Sequence, residues 1–271
     1  MRFIDLSKID PNDPDVIRWE KKAKTHRAAL SYLSDPKDRS EYFDKYPFWQ
    51  EFKDVLIKYF GKLCWYSEHF FKGSPGDVDH FRPKNVSRDE NGNILLGEGY
   101  YWLAYVYSNY RYSCENSNRP YKKGGKKDFF PVKPGTSPAT FPNITDENVL
   151  LDPCNKDDCD LIRCNEEGSI VAFSSDNYDK ERVKISVTAY NLNFYNEERK
   201  DIRIKCDDLL KRYAISYIDS NDQGMEWALK DIQEIISPKK PFSSFIKKYI
   251  REEIEGKDYA SEIETILQNS P

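Results

Sequence analysis

The chain has no uninterrupted apolar run of the roughly 18 residues that a membrane-crossing helix needs, so no spanning segment is expected. It lacks an excess of positive charge, with 42 Lys and Arg against 46 Asp and Glu and a net charge of -4. A protein that grips nucleic acid unaided is usually basic, because phosphate neutralisation supplies most of the non-specific affinity. The overall balance therefore disfavours tight free-standing binding but leaves room for a local basic patch. No internal repeat or low-complexity tract is present. The apolar start of residues 1–11 is broken by Asp5 and Asp10, so no secretory signal is expected and a cytoplasmic location follows. Cysteines are few and scattered: Cys64, Cys114, Cys154, Cys159, Cys164 and Cys206. That is not a compact disulfide framework, and in a reducing compartment they are metal ligands, catalytic thiols or small buried hydrophobes. Only three histidines occur.

Aromatics are abundant, with 19 Tyr, 15 Phe and 5 Trp in 271 residues, enough large apolar surface to argue against disorder. The length suits one or two domains. Three regions follow from the patterning. Residues 1–61 read as helices: Asn12-Asp13-Pro14 is a start signal. After it Trp19, Ala23, His26, Leu30 and Leu33 form an amphipathic stripe stopped by Ser34-Asp35-Pro36. A second stripe, Phe48, Phe52, Val55, Leu56, Tyr59 and Phe60, ends at Gly61. Residues 62–170 break into short apolar pieces between Gly, Pro, Asn and Asp, the composition of short strands and long loops. Residues 171–271 return to helix, with stripes at Ile202, Cys206, Leu209, Leu210, Tyr213 and Tyr217, at Trp227, Ile232, Ile235 and Ile236, and at Phe242, Phe245, Ile246, Tyr249 and Ile250. A last short helix is expected from position 259 to 267.

Two segments carry chemistry. Residues 77–84 read Asp-Val-Asp-His-Phe-Arg-Pro-Lys. An imidazole is the usual base near neutral pH, and a carboxylate beside it can hold a hard divalent cation. Strand neighbours point to opposite faces, so Asp79 and His80 can share a site only where the strand ends; Arg82-Pro83 marks such an end. An ordinary hydrogen-bonded histidine has the same local sequence. Residues 109–118 then supply Asn109, Cys114 and Asn118. Each asparagine alone reads as a turn or cap, but the order Cys64, Asp79-His80, Asn109, Cys114, Asn118 and a downstream lysine is informative.

In that order and spacing the chain resembles the HNH, or ββα-metal, nucleases. Within them it is similar to the PtuB type of Septu and retron-Septu antiphage defence systems. The likeness rests on Cys64-Trp65, on Asp79-His80-Phe81-Arg82-Pro83-Lys84, and on Trp102-Leu103-Ala104-Tyr105 ahead of Asn109. Looser matches are Phe130-Pro131, Leu150-Leu151-Asp152-Pro153, and Tyr190-Asn191-Leu192-Asn193 ahead of Arg199. It spans roughly residues 62–204. The resemblance implies an α+β chain in which a small ββα-metal core is embedded among helices. It implies that His80 is the general base, that Asn109 keeps His80 aimed, and that Asp79 and Asn118 bind Mg²⁺ or Mn²⁺. Arg82, Lys84, Lys122 and Lys123 would meet backbone phosphates of DNA or tRNA. Residues 119–133 hold six basic side chains, Arg119, Lys122, Lys123, Lys126, Lys127 and Lys133, against Asp128, which also suits a solvated polar loop. The implied partners are a PtuA-like ABC/SMC ATPase and, in the retron-linked form, a reverse transcriptase with its RNA–DNA hybrid.

The chain departs from the HNH pattern at the zinc knuckle. Cys64-Trp65-Tyr66-Ser67 and Cys114-Glu115-Asn116-Ser117 each keep only the first cysteine. Neutral hydroxyls are poor zinc donors, so no structural zinc is expected, and Cys64 and Cys114 should be close, reduced, buried remnants. The interval from Asn118 to Lys122 is also longer than in the family. His69 reads as a structural hydrogen-bonding group and His26 as a core histidine. Tyr100, Tyr101, Trp102, Tyr105, Tyr107 and Tyr110 could stack on bases or pack the segment before Asn109. Two other functional readings are an HNH-fold scaffold without catalysis and an autonomous restriction-type or toxin nuclease.

Overall fold

The computed structural model describes residues 1–71, 73, 75–119 and 125–269. It is an α+β chain. Helix α1 (Pro14–Leu30) starts where Asp13 accepts a hydrogen bond from the Asp15 N–H and Pro14 takes the first position. The Ser34-Asp35-Pro36 stop is equally a start. Asp35 caps the Lys37 N–H and Pro36 opens α2 (Pro36–Lys45), a helix that the apolar pattern does not announce because it buries only Arg39 and Phe43. The stripe after Pro47 is divided between a 3-10 turn, Phe48–Phe52, and α3 (Lys53–Phe60), which Gly61 ends at φ +80°.

The middle of the chain supplies the strands. β1 (Asp77–His80) pairs antiparallel with β4 (Tyr110–Ser113), in the register Asp77↔Ser113, Val78↔Tyr112, Asp79↔Arg111 and His80↔Tyr110. Between them in sequence, β2 (Ser87–Arg88) and β3 (Ile94–Leu96) make a second ribbon. One residue after β4 the chain turns into the short helix α4 (Glu115–Asn118). Helix α5 (Lys156–Asp160) leads into a third ribbon of β5 (Ile162–Cys164) and β6 (Ile170–Ala172). The remainder is helical: α6 (Asn177–Ala189), α7 (Asn196–Ile218), α8 (Asp222–Ile235), α9 (Ser243–Ile254) and α10 (Ala260–Asn269).

Packing explains why the β1–β4 ribbon can carry a site. Its period-2 alternation sends Val78, Tyr110 and Tyr112 into the apolar cluster of the N-terminal helices, with Trp19, Phe48, Trp49 and Phe52. Asp77, Asp79 and Arg111 therefore face the other way. There a second cluster, built from Tyr66, Phe81, Phe130, Leu150, Leu151 and Tyr190, forms a buried floor. A third cluster joins α7 to α10. Among the described residues no helix is long and apolar enough to cross a membrane.

Candidate active site

The strand alternation puts His80 and Asp79 on opposite faces, and the end of β1 brings both to one cleft. That cleft, about 580 Å³, is lined by Asp79, His80, Lys84, Asn118, Arg119 and Lys127 among others. His80 is buried, 7% exposed, with its ring edge-on to Trp49 at 5.1 Å and to Tyr110 at 5.2 Å. Its Nε2 lies 2.9 Å from the Ala104 carbonyl oxygen, which also accepts the Tyr110 hydroxyl at 2.7 Å. A carbonyl can only accept, so the hydrogen bond assigns the proton to Nε2 and the lone pair to Nδ1. Burial, with the nearby Lys84 cation adding to it, pushes the imidazole pKa down to about 3. The ring is neutral at physiological pH.

Asn109 sits at the entry to β4 and clamps the exit of β1. Its Oδ1 accepts the Arg82 N–H at 2.9 Å and its Nδ2 donates to the Arg82 carbonyl at 3.0 Å. Its own carbonyl accepts the Phe81 N–H at 2.8 Å. Three hydrogen bonds from one residue thus fix the backbone immediately after His80.

Asp79 is 4% exposed and both its oxygens are engaged. Oδ2 accepts the Tyr66 hydroxyl at 2.6 Å, and Oδ1 lies 3.1 Å from the Lys126 ammonium. Lys126 is fully buried and donates a second bond, 2.7 Å, to the His80 carbonyl. Burial raises the Asp79 pKa and lowers that of Lys126, while each charge opposes the shift of the other. Asn118 turns its Nδ2 to Asp77 Oδ2 at 3.1 Å, and Arg119 grips the same Asp77 carboxylate with two bonds of 2.9 and 2.8 Å. The ribbon therefore carries two carboxylates, each matched by a cation from the chain after β4.

A hard divalent ion takes oxygen donors and keeps much of its shell as water and phosphate. One carboxylate and one amide oxygen at a cleft suit that chemistry, and the Asp79 pocket already holds a cation, the Lys126 ammonium. The donor set fits a Mg²⁺-like ion. Among the described residues no group of three or more His, Cys, Asp or Glu is arranged to hold a metal.

The remaining sequence candidates fall in different places. Lys84 lines the cleft, its ammonium 4.8 Å from the Trp49 ring centroid. Arg82 does not; its guanidinium bonds Asp146 at 3.1 and 2.8 Å, and Asp146 also accepts the Tyr100 hydroxyl at 2.6 Å. A buried carboxylate needs a counter-charge, and this one takes Arg82 away from a phosphate-contact position. Lys122 and Lys123 lie outside the described residues. Tyr100, Tyr105 and Tyr110 are fully buried, which leaves them packing rather than open to bases. His26 is half-buried, stacked on Phe48 and Tyr105 and bonded to the Tyr42 hydroxyl at 2.8 Å. His69 lies 2.6 Å from the Phe70 carbonyl and stacks on Tyr195. Sequence reasoning did not single out Tyr66, Asp77 or Lys126. The Asp-x-Asp alternation of β1 was the available signal for Asp77, since it places both carboxylates on one face.

Behind α4, Cys64, Ser67, Cys114 and Ser117 converge. Cys114 Sγ is 3.4 Å from Ser117 Oγ and 3.8 Å from Ser67 Oγ, and Cys64 Sγ is 3.9 Å from Ser117 Oγ. A zinc with about 2.3 Å bonds to sulfur has tetrahedral edges of about 3.8 Å, close to these three separations, but two of the four groups are neutral hydroxyls, which are poor zinc donors. Both cysteines are free and buried. Hydrogen bonding with Cys64, Ser117 and Tyr195 lowers the Cys114 pKa, and burial raises that of Cys64.

No family model matches the chain, and no solved structure matches it. Among curated proteins, the Septu protein PtuB of Bacillus mycoides (strain KBAB4) is 30% identical over 197 residues. The matched stretch covers 68% of this chain and 64% of that protein, so this chain spans somewhat less than two thirds of its relative.

Proposed function

Because this chain is a PtuB-type Septu protein, we propose that it is the nuclease subunit of an antiphage defence system, hydrolysing phosphodiester bonds in DNA or tRNA with an HNH centre. The observation that carries the reading is the ββα unit itself. β1 ends on Asp79-His80, Asn109 clamps that end, and α4 brings Asn118 to the same cleft.

In this reading Nδ1 of His80 takes a proton from a water whose oxygen attacks phosphorus, and the bond to the 3′ oxygen breaks, that oxygen leaving as a hydroxyl with a proton from solvent. The Ala104 carbonyl keeps Nε2 protonated, so the lone pair is on the other nitrogen until it takes the proton. Burial keeps the ring uncharged until then, and a phosphodiester anion beside Lys84 offsets that cation's share of the depressed pKa. Asn109 holds the backbone that aims the ring. A Mg²⁺-like ion bound at Asp79 and Asn118 would supply positive charge beside the scissile phosphate. Lys84 and Lys127, both at the cleft, would meet substrate phosphates.

The acidic overall charge suits a subunit that draws part of its substrate grip from a partner, here a PtuA-like ABC/SMC ATPase, with a reverse transcriptase and its RNA–DNA hybrid in a retron-linked form. The test is cleavage of plasmid and of tRNA by the purified chain, alone and with its ATPase, in Mg²⁺ or EDTA. A positioned general base contributes about 10²–10⁴ in rate, so His80→Ala, assayed well below the melting temperature of the variant, should lose that factor. Equal cleavage by His80→Ala would remove the mechanism.

A further inference from the structure

We infer that Lys126 is an internal plug: its ammonium occupies the cation position of Asp79 and must be displaced before a divalent ion can bind. The inference rests on the metal-dependent reading above and adds to it a built-in competitor.

Lys126 is not a surface lysine that happens to lie near an acid. Its side chain is fully buried, and its Nζ is shared between Asp79 Oδ1 and the His80 carbonyl, the two groups on either side of the site's central peptide. Its backbone is equally fixed. The Lys126 N–H donates to the Ser117 carbonyl at 3.0 Å and the Lys127 N–H to the Asn118 carbonyl at 2.7 Å. These are carbonyls at the end of α4, which lack partners within the helix. The plug is therefore tied to the same short helix that carries Asn118, and whatever moves one moves the other.

The electrostatics make the arrangement competitive. A buried carboxylate is strongly disfavoured without a counter-charge, so Asp79 demands a cation. With the Tyr66 hydroxyl on Oδ2, the ammonium on Oδ1 is the only cation in contact with it among the described residues. A divalent ion brings twice the charge to the same oxygen, but it must first evict a group that is already desolvated and bonded. The evicted ammonium then lies beside the cleft where a phosphate would take it.

The experiment compares Mn²⁺ binding by the full-length wild type and by Lys126→Gln, using calorimetry and the electron paramagnetic signal of free Mn²⁺. If the plugged form predominates by about tenfold, the variant should bind Mn²⁺ about tenfold more tightly. A second measurement uses only the wild type: acetylation of lysines followed by mass spectrometry, in EDTA and in saturating Mn²⁺. Lys126 should be protected in EDTA and modified in Mn²⁺, and this holds whether or not the variant folds. A merely structural lysine stays protected in both. Equal or weaker Mn²⁺ binding by Lys126→Gln, or protection of Lys126 in the Mn²⁺-bound wild type, would overturn the plug and leave the nuclease reading standing. Absence of Mn²⁺ binding by both proteins would overturn the two together.

Discussion

Two small polar clusters lie against α4, and they satisfy buried polar groups in different ways. In one, Cys64, Ser67, Cys114 and Ser117 satisfy one another with hydrogen bonds among thiols and hydroxyls. In the other, a buried carboxylate, Asp79, is met by a buried ammonium, Lys126. A network of thiols and hydroxyls balances itself without a counter-charge. Keeping a carboxylate obliges the protein to provide a cation from its own chain.

The contrast can be broken most strongly at the cysteine cluster. The double substitution Ser67→Cys and Ser117→Cys would set four sulfur donors at these positions. Structural zinc in small domains binds with about 10–16 kcal/mol at neutral pH. We expect stoichiometric zinc by metal analysis and a marked rise in melting temperature that a chelator reverses. Failure to take up zinc would mean that the four positions do not form a zinc cradle. At the other cluster, Asp79→Asn strands the Lys126 ammonium in a buried site. Removing one partner of a buried pair costs about 3–5 kcal/mol, to be read from urea unfolding midpoints. A loss below about 1 kcal/mol, the range of a surface pair, would show that Lys126 reaches water easily. The smallest effect is a single ionisation. Hydrogen bonding with its neighbours holds the Cys114 pKa below the ordinary thiol range. As pH rises, the ultraviolet absorbance of its thiolate should therefore appear before that of a free cysteine in the wild type and be absent over that window from Cys114→Ser.

The sequence made the second cluster legible in part, and the reason is local. Asp79, His80 and Asn109 are recognisable because a strand end and its clamp are written in short contiguous stretches, and Asn118 follows at a fixed interval. Lys126 was hidden among six basic side chains of one tract. What selects it is the return of the chain to the Ser117 and Asn118 carbonyls, a tertiary event with no composition signal. Tyr66 was likewise one aromatic among many until its hydroxyl was seen on Asp79. Helix α2 escaped because its stop-like opening, Ser34-Asp35-Pro36, is also a start, and because two buried residues make no stripe. Arg82 stood in a phosphate-contact motif, yet Asp146, 64 positions away in sequence, decides where its guanidinium goes.

The Asn109 clamp has a consequence for the long excursion between β1 and β4. By stapling the Arg82 peptide on both sides, one amide side chain shuts the neck of that excursion. Beyond the neck, Lys84 and the Ala104 carbonyl turn back to the imidazole, whereas the little ribbon of β2 and β3 makes no bond to it among the described residues. The outer face of that ribbon can therefore lengthen or change while the clamp, the Ala104 carbonyl and the imidazole keep their places, an exchangeable head on a fixed neck.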